Sequence, residues 1–215
     1  MSAIMSKLDF HLKGREDNYR VISLCKGAIE RGARGVTVDY SQLDDAWKWL
    51  EKGSTRLSAR LDLTRELFTG EEVFRDIKRA FADGAGAVEI AKPPAAWNST
   101  KEASEFCDIA LEAAGPRPLV ISLEPAQLKL PDFRAALRLL IAKGIKEIKL
   151  ASGLFEKLAT LAHLNAALEE AKGTGTKLIF TPTPAEGRYT LDDAFRLAEK
   201  LAPDEDILSI SLEWK

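Results

Sequence analysis

The chain is 215 residues long, 46% hydrophobic and 30% charged, which is enough for one good core and short for two. Its 14 glycines and 9 prolines sit in an ordinary globular composition, so disordered, collagen-like and low-complexity chains are excluded. A net charge of −2 with no run of Lys or Arg offers nucleic acid nothing to bind, and no apolar run nears the ~20 residues that a membrane span needs.

In chain order, eight short runs read as strands: 7–12, 35–40, 57–63, 87–91, 119–124, 147–151, 177–183 and 207–212. Helix-period stretches lie between them. Several open on Ser or Thr with an acid three residues on, Thr69 with Glu72, Ser99 with Glu102 and Thr190 with Asp193, the pattern of a capping box. Several close on glycine, as at Gly32, Gly84, Gly115 and Gly144, which helix C-termini favour. The units repeat every ~30 residues, the length of a strand, a helix and their connections. Eight in a row predict a (β/α)8 TIM barrel, a single domain over 1–215. An open doubly wound sheet is the other architecture for such alternation, but no GxGxxG follows any strand. Trp214 and Lys215 follow the eighth strand directly, so the last helix is expected to be absent. Trp214 or a second copy of the chain would then have to cover the apolar outside of strands one and eight, and a homo-oligomer is expected.

Every strand alternates. Leu8, Phe10 and Leu12 oppose Asp9 and His11; Val36 and Val38 oppose Thr37 and Asp39; Ala59, Leu61 and Leu63 oppose Ser58, Arg60 and Asp62. Val88 and Ile90 oppose Glu89; Ile121 and Leu123 oppose Ser122 and Glu124; Ile148 and Leu150 oppose Glu147 and Lys149. Leu178 and Phe180 oppose Thr181, and Ile210 and Leu212 oppose Ser209 and Ser211. A period of two puts each set on one face. An antiparallel sheet with one wet face would alternate in the same way, but the intervening helices require parallel crossovers. The apolar face then meets the helices and the polar face lines the lumen. Barrel lumens are ordinarily filled by branched apolar side chains. This one would hold Asp9, Asp39, Arg60, Asp62, Glu89, Glu124, Glu147 and Lys149, which are costly to bury without use. A polar active-site cavity is expected.

Lys149 is the sharpest candidate. It points inward from the sixth strand and is followed by the small residues Ala151, Ser152 and Gly153. In a low-dielectric lumen near another cation, a lysine loses its proton near neutral pH and attacks a carbonyl. Two readings stand at this point: an amine nucleophile, or a lysine neutralised by Glu89 or Glu147. His11 is either an acid–base partner of Asp9 or a lumen histidine satisfied by a carboxylate. Asp39, Asp62, Glu89 and Glu124 suit a divalent cation or a hydrogen-bonded network with Lys149 and Arg60. The network is preferred, and no metal or cofactor is expected. Cys25 and Cys107 form no CxxC and read as buried thiols of a cytoplasmic protein. Trp47 and Trp49 read as packing, and Pro93 with Pro94 as a rigid loop at the C-terminal rim.

The segment IKLASG at 148–153 resembles the surroundings of the Schiff-base lysine in the deoxyribose-phosphate aldolases, class I aldolases on a (β/α)8 barrel. LCKGAIERGARGVTV at 24–38, RLSARLDL at 56–63, DGAGAVEIA at 83–91, PLVISLEPAQL at 118–128 and GRYTLDDA at 187–194 resemble further segments of that family in the same order. The resemblance implies that Lys149 forms an imine with an aldehyde donor. It implies that Glu89 stands for the family's aspartate, which moves protons with a bound water, and that Asp9 belongs to the same polar network. Ser152 and Gly153 match the loop after the lysine, Gly187 and Arg188 part of the phosphate-binding turn, and Ser211 the strand-eight phosphate site. Arg60, Asp62, Glu124 and Thr181 complete the expected substrate lining. The sequence also departs from the family. Thr181 replaces a second lysine, TPAEG at 183–187 a glycine pair, and LSIS at 208–211 a G-x-S-S. Arg60 is the inward cation that could replace the second lysine. The implied function is a class I carbon–carbon lyase acting on a small aldehyde or sugar phosphate. The alternative is a non-catalytic aldolase-like barrel that binds a small ligand or a protein partner.

Overall fold

The computed structural model describes residues 7–51, 53–64, 68–182, 196 and 208–214. The strands are β1 (Leu8–His11), β2 (Gly35–Asp39), β3 (Arg56–Asp62), β4 (Ala87–Ala91), β5 (Leu119–Leu123), β6 (Glu147–Leu150), β7 (Lys177–Phe180) and β8 (Leu208–Glu213). All pair in parallel in chain order, and β8 closes the ring by pairing Ser211 with Asp9 of β1. The architecture is a (β/α)8 barrel, so the open and antiparallel sheets are both excluded.

Six helices are described between the strands: α1 (Asn18–Arg31), α2 (Leu43–Leu50), α3 (Gly70–Ala82), α4 (Thr100–Ala114), α5 (Leu130–Ala142) and α6 (Leu161–Ala171). Local chemistry sets their ends. Thr69 and Glu72 form the expected reciprocal capping box on α3, and Ser99 accepts the Glu102 amide on α4. The Thr190–Asp193 cap lies outside the described residues. A second box escaped the sequence pattern because its partner is a histidine: the Thr160 amide donates to Nδ1 of His163. Gly32 ends α1 in the left-handed region at φ 65°, where a side chain would cost about 1–2 kcal/mol.

The core is continuous around the ring. Val36, Val38, Ile90, Ile121, Ile148 and Ile210 are fully or almost fully buried on the outer face of the strands, with Leu24, Ile77, Phe133 and Leu164 from the helices. Each such side chain contributes about 1.5–3 kcal/mol. Cys25 and Cys107 belong to this layer, and burial pushes their thiols up to about 12 and about 11, so they stay protonated and unreactive. Trp47 and Trp49 are less enclosed than expected, 37% and 41% exposed. Trp47 packs against Gly84, where a Cβ would meet its ring, and Lys26 lies over Trp49, 4.6 Å from the ring centre.

The apolar outside of β1 and β8 is not left open. Leu8, Phe10, Leu12, Leu208, Ile210 and Leu212 are all buried within one chain, so the uncovered-face argument for a second copy does not apply. Trp214 folds back on α1. Its ring meets Phe10 edge-on at 5.3 Å, and its indole N–H donates to Ser23 Oγ at 3.2 Å. Its carbonyl accepts from Arg20 Nη2 at 2.7 Å. A Cβ at Gly27 would overlap this ring. Trp214→Ala is expected to cost about 2 kcal/mol of stability, since the ring is only partly enclosed. Urea unfolding at pH 7 checks this, and an unchanged midpoint would show that the ring covers nothing of consequence.

The N-terminal end of the lumen is closed by charge. Arg56 of β3 reaches across the barrel to Glu147 of β6 with two parallel hydrogen bonds of 2.6 and 2.7 Å. Arg34, just before β2, pairs with Asp9 and lies 3.7 Å from Glu147. Gly35 is needed beside them, because a Cβ there would come within 2.9 Å of Asp9 Oδ1. Glu147 therefore belongs to this floor and is not the neutraliser of Lys149. Asp39 and Asp62 stand at the C-terminal ends of β2 and β3. Both sit half-buried at strand ends and accept the amide and hydroxyl two residues on, Ser41 and Thr64.

Candidate active site

Lys149 sits in the middle of β6 and is 1% exposed. Its ammonium donates to Glu89 Oε2 at 2.9 Å, and Glu89 Oε1 accepts from Ser122 Oγ at 3.0 Å. The three residues come from consecutive strands β4, β5 and β6, with Ser122 directly beside Lys149 in register. Of the two candidate neutralisers, Glu89 is the one in contact. Among the described residues the lumen around Lys149 is packed closely by side chains. Asp9, Glu89, Lys149 and Ser211 line a cavity of about 10 Å³, room for about one water.

The C-terminal side of the lysine is built from the turn that follows it. Ala151 adopts φ 75°, an uncommon conformation for a non-glycine residue that costs on the order of 1–3 kcal/mol and must be held by its surroundings. Four groups hold the turn. Thr181 Oγ1 donates to the Ala151 carbonyl at 2.7 Å. Glu124 Oε1 accepts the Ser152 amide at 2.9 Å. Arg60 Nη1 donates to the Ser152 carbonyl at 3.0 Å. His11 fills the space against Gly153 at φ 89°, where a Cβ would overlap its ring. The turn after Lys149 is thus held by contacts that the sequence does not display.

Electrostatics follow from burial. Burial pushes the Lys149 amine below its ordinary range; Glu89 opposes this and Arg60 reinforces it. His11 is driven well below its usual value by burial and by the charges of Lys149 and Arg60, so it is neutral at pH 7. Its Nδ1 pairs with Ser211 Oγ at 2.9 Å. Among the described residues His11 meets no carboxylate, and Asp9 is held by Arg34. Burial raises Glu124, against its bonds to Ser152, and Glu124 Oε2 is buried with no hydrogen-bond partner.

The expected residues therefore divide. Lys149, Glu89, Asp9 and Ser211 share the small cavity. Arg60, Glu124, Thr181, Ser152 and Gly153 form the turn above it. Asp62 caps the end of β3, and Gly187 and Arg188 lie outside the described residues. Ser211 points into the lumen towards His11. Among the described residues no cluster of His, Cys, Asp or Glu could hold a metal ion. Pro94 and Ala95, after β4, line a rim groove of about 650 Å³ with Asn98, Gln127 and Lys129. No described helix is long and apolar enough to cross a membrane.

This barrel, with one buried lysine beside a carboxylate and a constrained turn, shares the fold of the deoxyribose-phosphate aldolases. The solved structure of QR15, an aldolase, superposes with a TM-score of 0.83 at 18% identity over 99% of this chain and 92% of that one. A Coccidioides immitis structure assigned as a deoxyribose-phosphate aldolase gives 0.81 at 16% identity over 98% and 82%. The tetrameric deoxyribose phosphate aldolase of Aeropyrum pernix gives 0.70 at 15% identity over 83% and 77%. At these identities the likeness is one of fold. No protein-family model and no curated protein matches the sequence.

Proposed function

We propose that the protein is a class I, deoxyribose-phosphate aldolase-like carbon–carbon lyase of the cytoplasm, with Lys149 as its Schiff-base amine. The observation that carries this reading is a lysine 1% exposed, pushed towards its neutral form by burial, with a carboxylate 2.9 Å away. The neutral amine adds to the carbonyl carbon of a small aldehyde or sugar phosphate. The resulting carbinolamine loses water to give the imine, and the imine nitrogen draws the electron pair of the breaking carbon–carbon bond. Glu89 is the nearest group to take and return the protons of these steps, and Glu124, its acid form favoured by burial, is a second proton source.

The same ion pair supports another reading. A lysine held by Glu89 beside a one-water cavity is what a non-catalytic barrel would keep, the lysine then serving the fold and the rim binding a ligand or partner. One experiment separates the two. Incubation with acetaldehyde or glyceraldehyde 3-phosphate, followed by borohydride and peptide mass spectrometry, is expected to place one reduced adduct on Lys149. Formation should quicken with pH as the neutral fraction grows. No adduct on Lys149 at pH 9 with either compound would remove the lyase reading and leave the binding barrel.

A further inference from the structure

Two arginines of β3 point into the lumen, and they reach residues on either side of Lys149 in the chain. Arg56 goes to Glu147 and Arg60 to Ser152. Their charges are disposed of differently. Arg56 is neutralised by a bidentate carboxylate. Arg60 is 1% exposed and gives its hydrogen bonds to two neutral acceptors, the carbonyls of Leu12 at 2.7 Å and Ser152 at 3.0 Å. Its Nε is buried without a partner. A buried guanidinium with no carboxylate acts on every charge around it, since little solvent screens it.

The groups that face Lys149 define what that charge does. Glu89 comes from β4, Glu124 from the residue after β5, Asp9 and His11 from β1, and Arg60 and Arg56 from β3, Arg56 being paired with Glu147. Thr37, Ile179 and Ser211 from the remaining strands are neutral, as is Thr181 above them. The carboxylates favour the ammonium, and His11 is held neutral. Arg60 is the fixed positive charge without a carboxylate partner on the other side of the balance.

We propose that Arg60 is a positioning residue of the lysine site that acts from across the barrel. Its forked head ties the 151–153 turn to the end of β1 above Lys149, and its unpaired charge weakens the hold of Glu89 on the lysine ammonium. This rests on Lys149 as the reactive amine and assigns to β3 a task that Thr181 of β7 has no charge to perform.

Arg60→Met removes the charge and the fork; Arg60→Lys keeps the charge and loses the fork. A carbon-13 NMR titration of Lys149 Cε reads the amine's charge whether or not an imine ever forms. In Arg60→Met the Lys149 midpoint is expected to rise by about one pH unit, which lowers the neutral fraction at pH 7 about tenfold. Borohydride trapping should slow by the same factor at pH 7 and converge with the parent at high pH. Arg60→Lys should hold the midpoint while hydrogen exchange at the Ser152 and Leu154 amides quickens. If Arg60→Met does not fold, Arg60→Gln, which still donates to a carbonyl, carries the same expectation. An unchanged Lys149 midpoint in the folded neutral variant overturns the inference. A raised midpoint with no adduct in any protein, the parent included, supports the electrostatic role of Arg60 and removes only the aldolase reading.

Discussion

Lys149→Met is expected to abolish the borohydride-trapped adduct at position 149 and to destabilise the barrel by about 3 kcal/mol, because it strands Glu89 in the lumen. The two effects have separate causes. The adduct needs a nucleophilic nitrogen, which methionine lacks. The stability loss comes from a carboxylate that is 1% exposed and keeps only the Ser122 hydroxyl as a partner. The double variant Lys149→Met/Glu89→Gln should recover most of that stability, since a neutral amide costs far less to bury than an uncompensated charge. Urea unfolding of the three proteins at pH 7 measures this. A single variant as stable as the parent would sink the ion-pair account of the lumen, whatever the trapping experiment gives.

Glu147→Ala is expected to cost about 3 kcal/mol, since it removes the carboxylate that binds Arg56 across the floor of the barrel and leaves two arginines facing each other. Its side chain is 13% exposed. Burial raises the Glu147 carboxyl, but the bonds and charge of Arg56 and the charge of Arg34 outweigh it, so the net pKa is lowered. The sign follows from linkage. A depressed carboxylate stabilises the fold above its unfolded pKa of ~4.3 and loses that contribution as pH falls through the folded value. The parent should therefore weaken below about pH 4, and Glu147→Gln should start lower and show a shallower decline there. Chemical denaturation between pH 3 and 7 reads the slope. Equal slopes in parent and variant would show that the floor does not titrate with the fold.

Part of the site is legible in the sequence. Lys149, Glu89, Glu124, Arg60 and Thr181 all face inward because strand parity puts them there. Asp39 and Asp62 share that parity, and each closes a local turn by accepting the amide and hydroxyl two residues on. A hydroxyl residue two positions on, Ser41 or Thr64, is the local signature of that turn, and it stands in the sequence. Trp214 was a candidate cover for β1 and β8, and its ring packs on Phe10 of β1 and against Gly27 of α1.

By itself the sequence determined the barrel and which side chains enter it, because strand alternation and helix caps are properties of a few neighbouring residues. Only the tertiary structure decided who meets whom inside. Glu89 meets Lys149 while Glu147, two residues from the lysine, is carried down to Arg56, since partners in a lumen depend on height along the axis and on the stagger between strands. The pairing of His11 with Ser211 exists only once β8 closes on β1, 200 residues away in the chain. The reach of Arg60 to Ser152 crosses the full width of the barrel. Contacts of that span depend on closure of the whole ring, and no local pattern of residues encodes them.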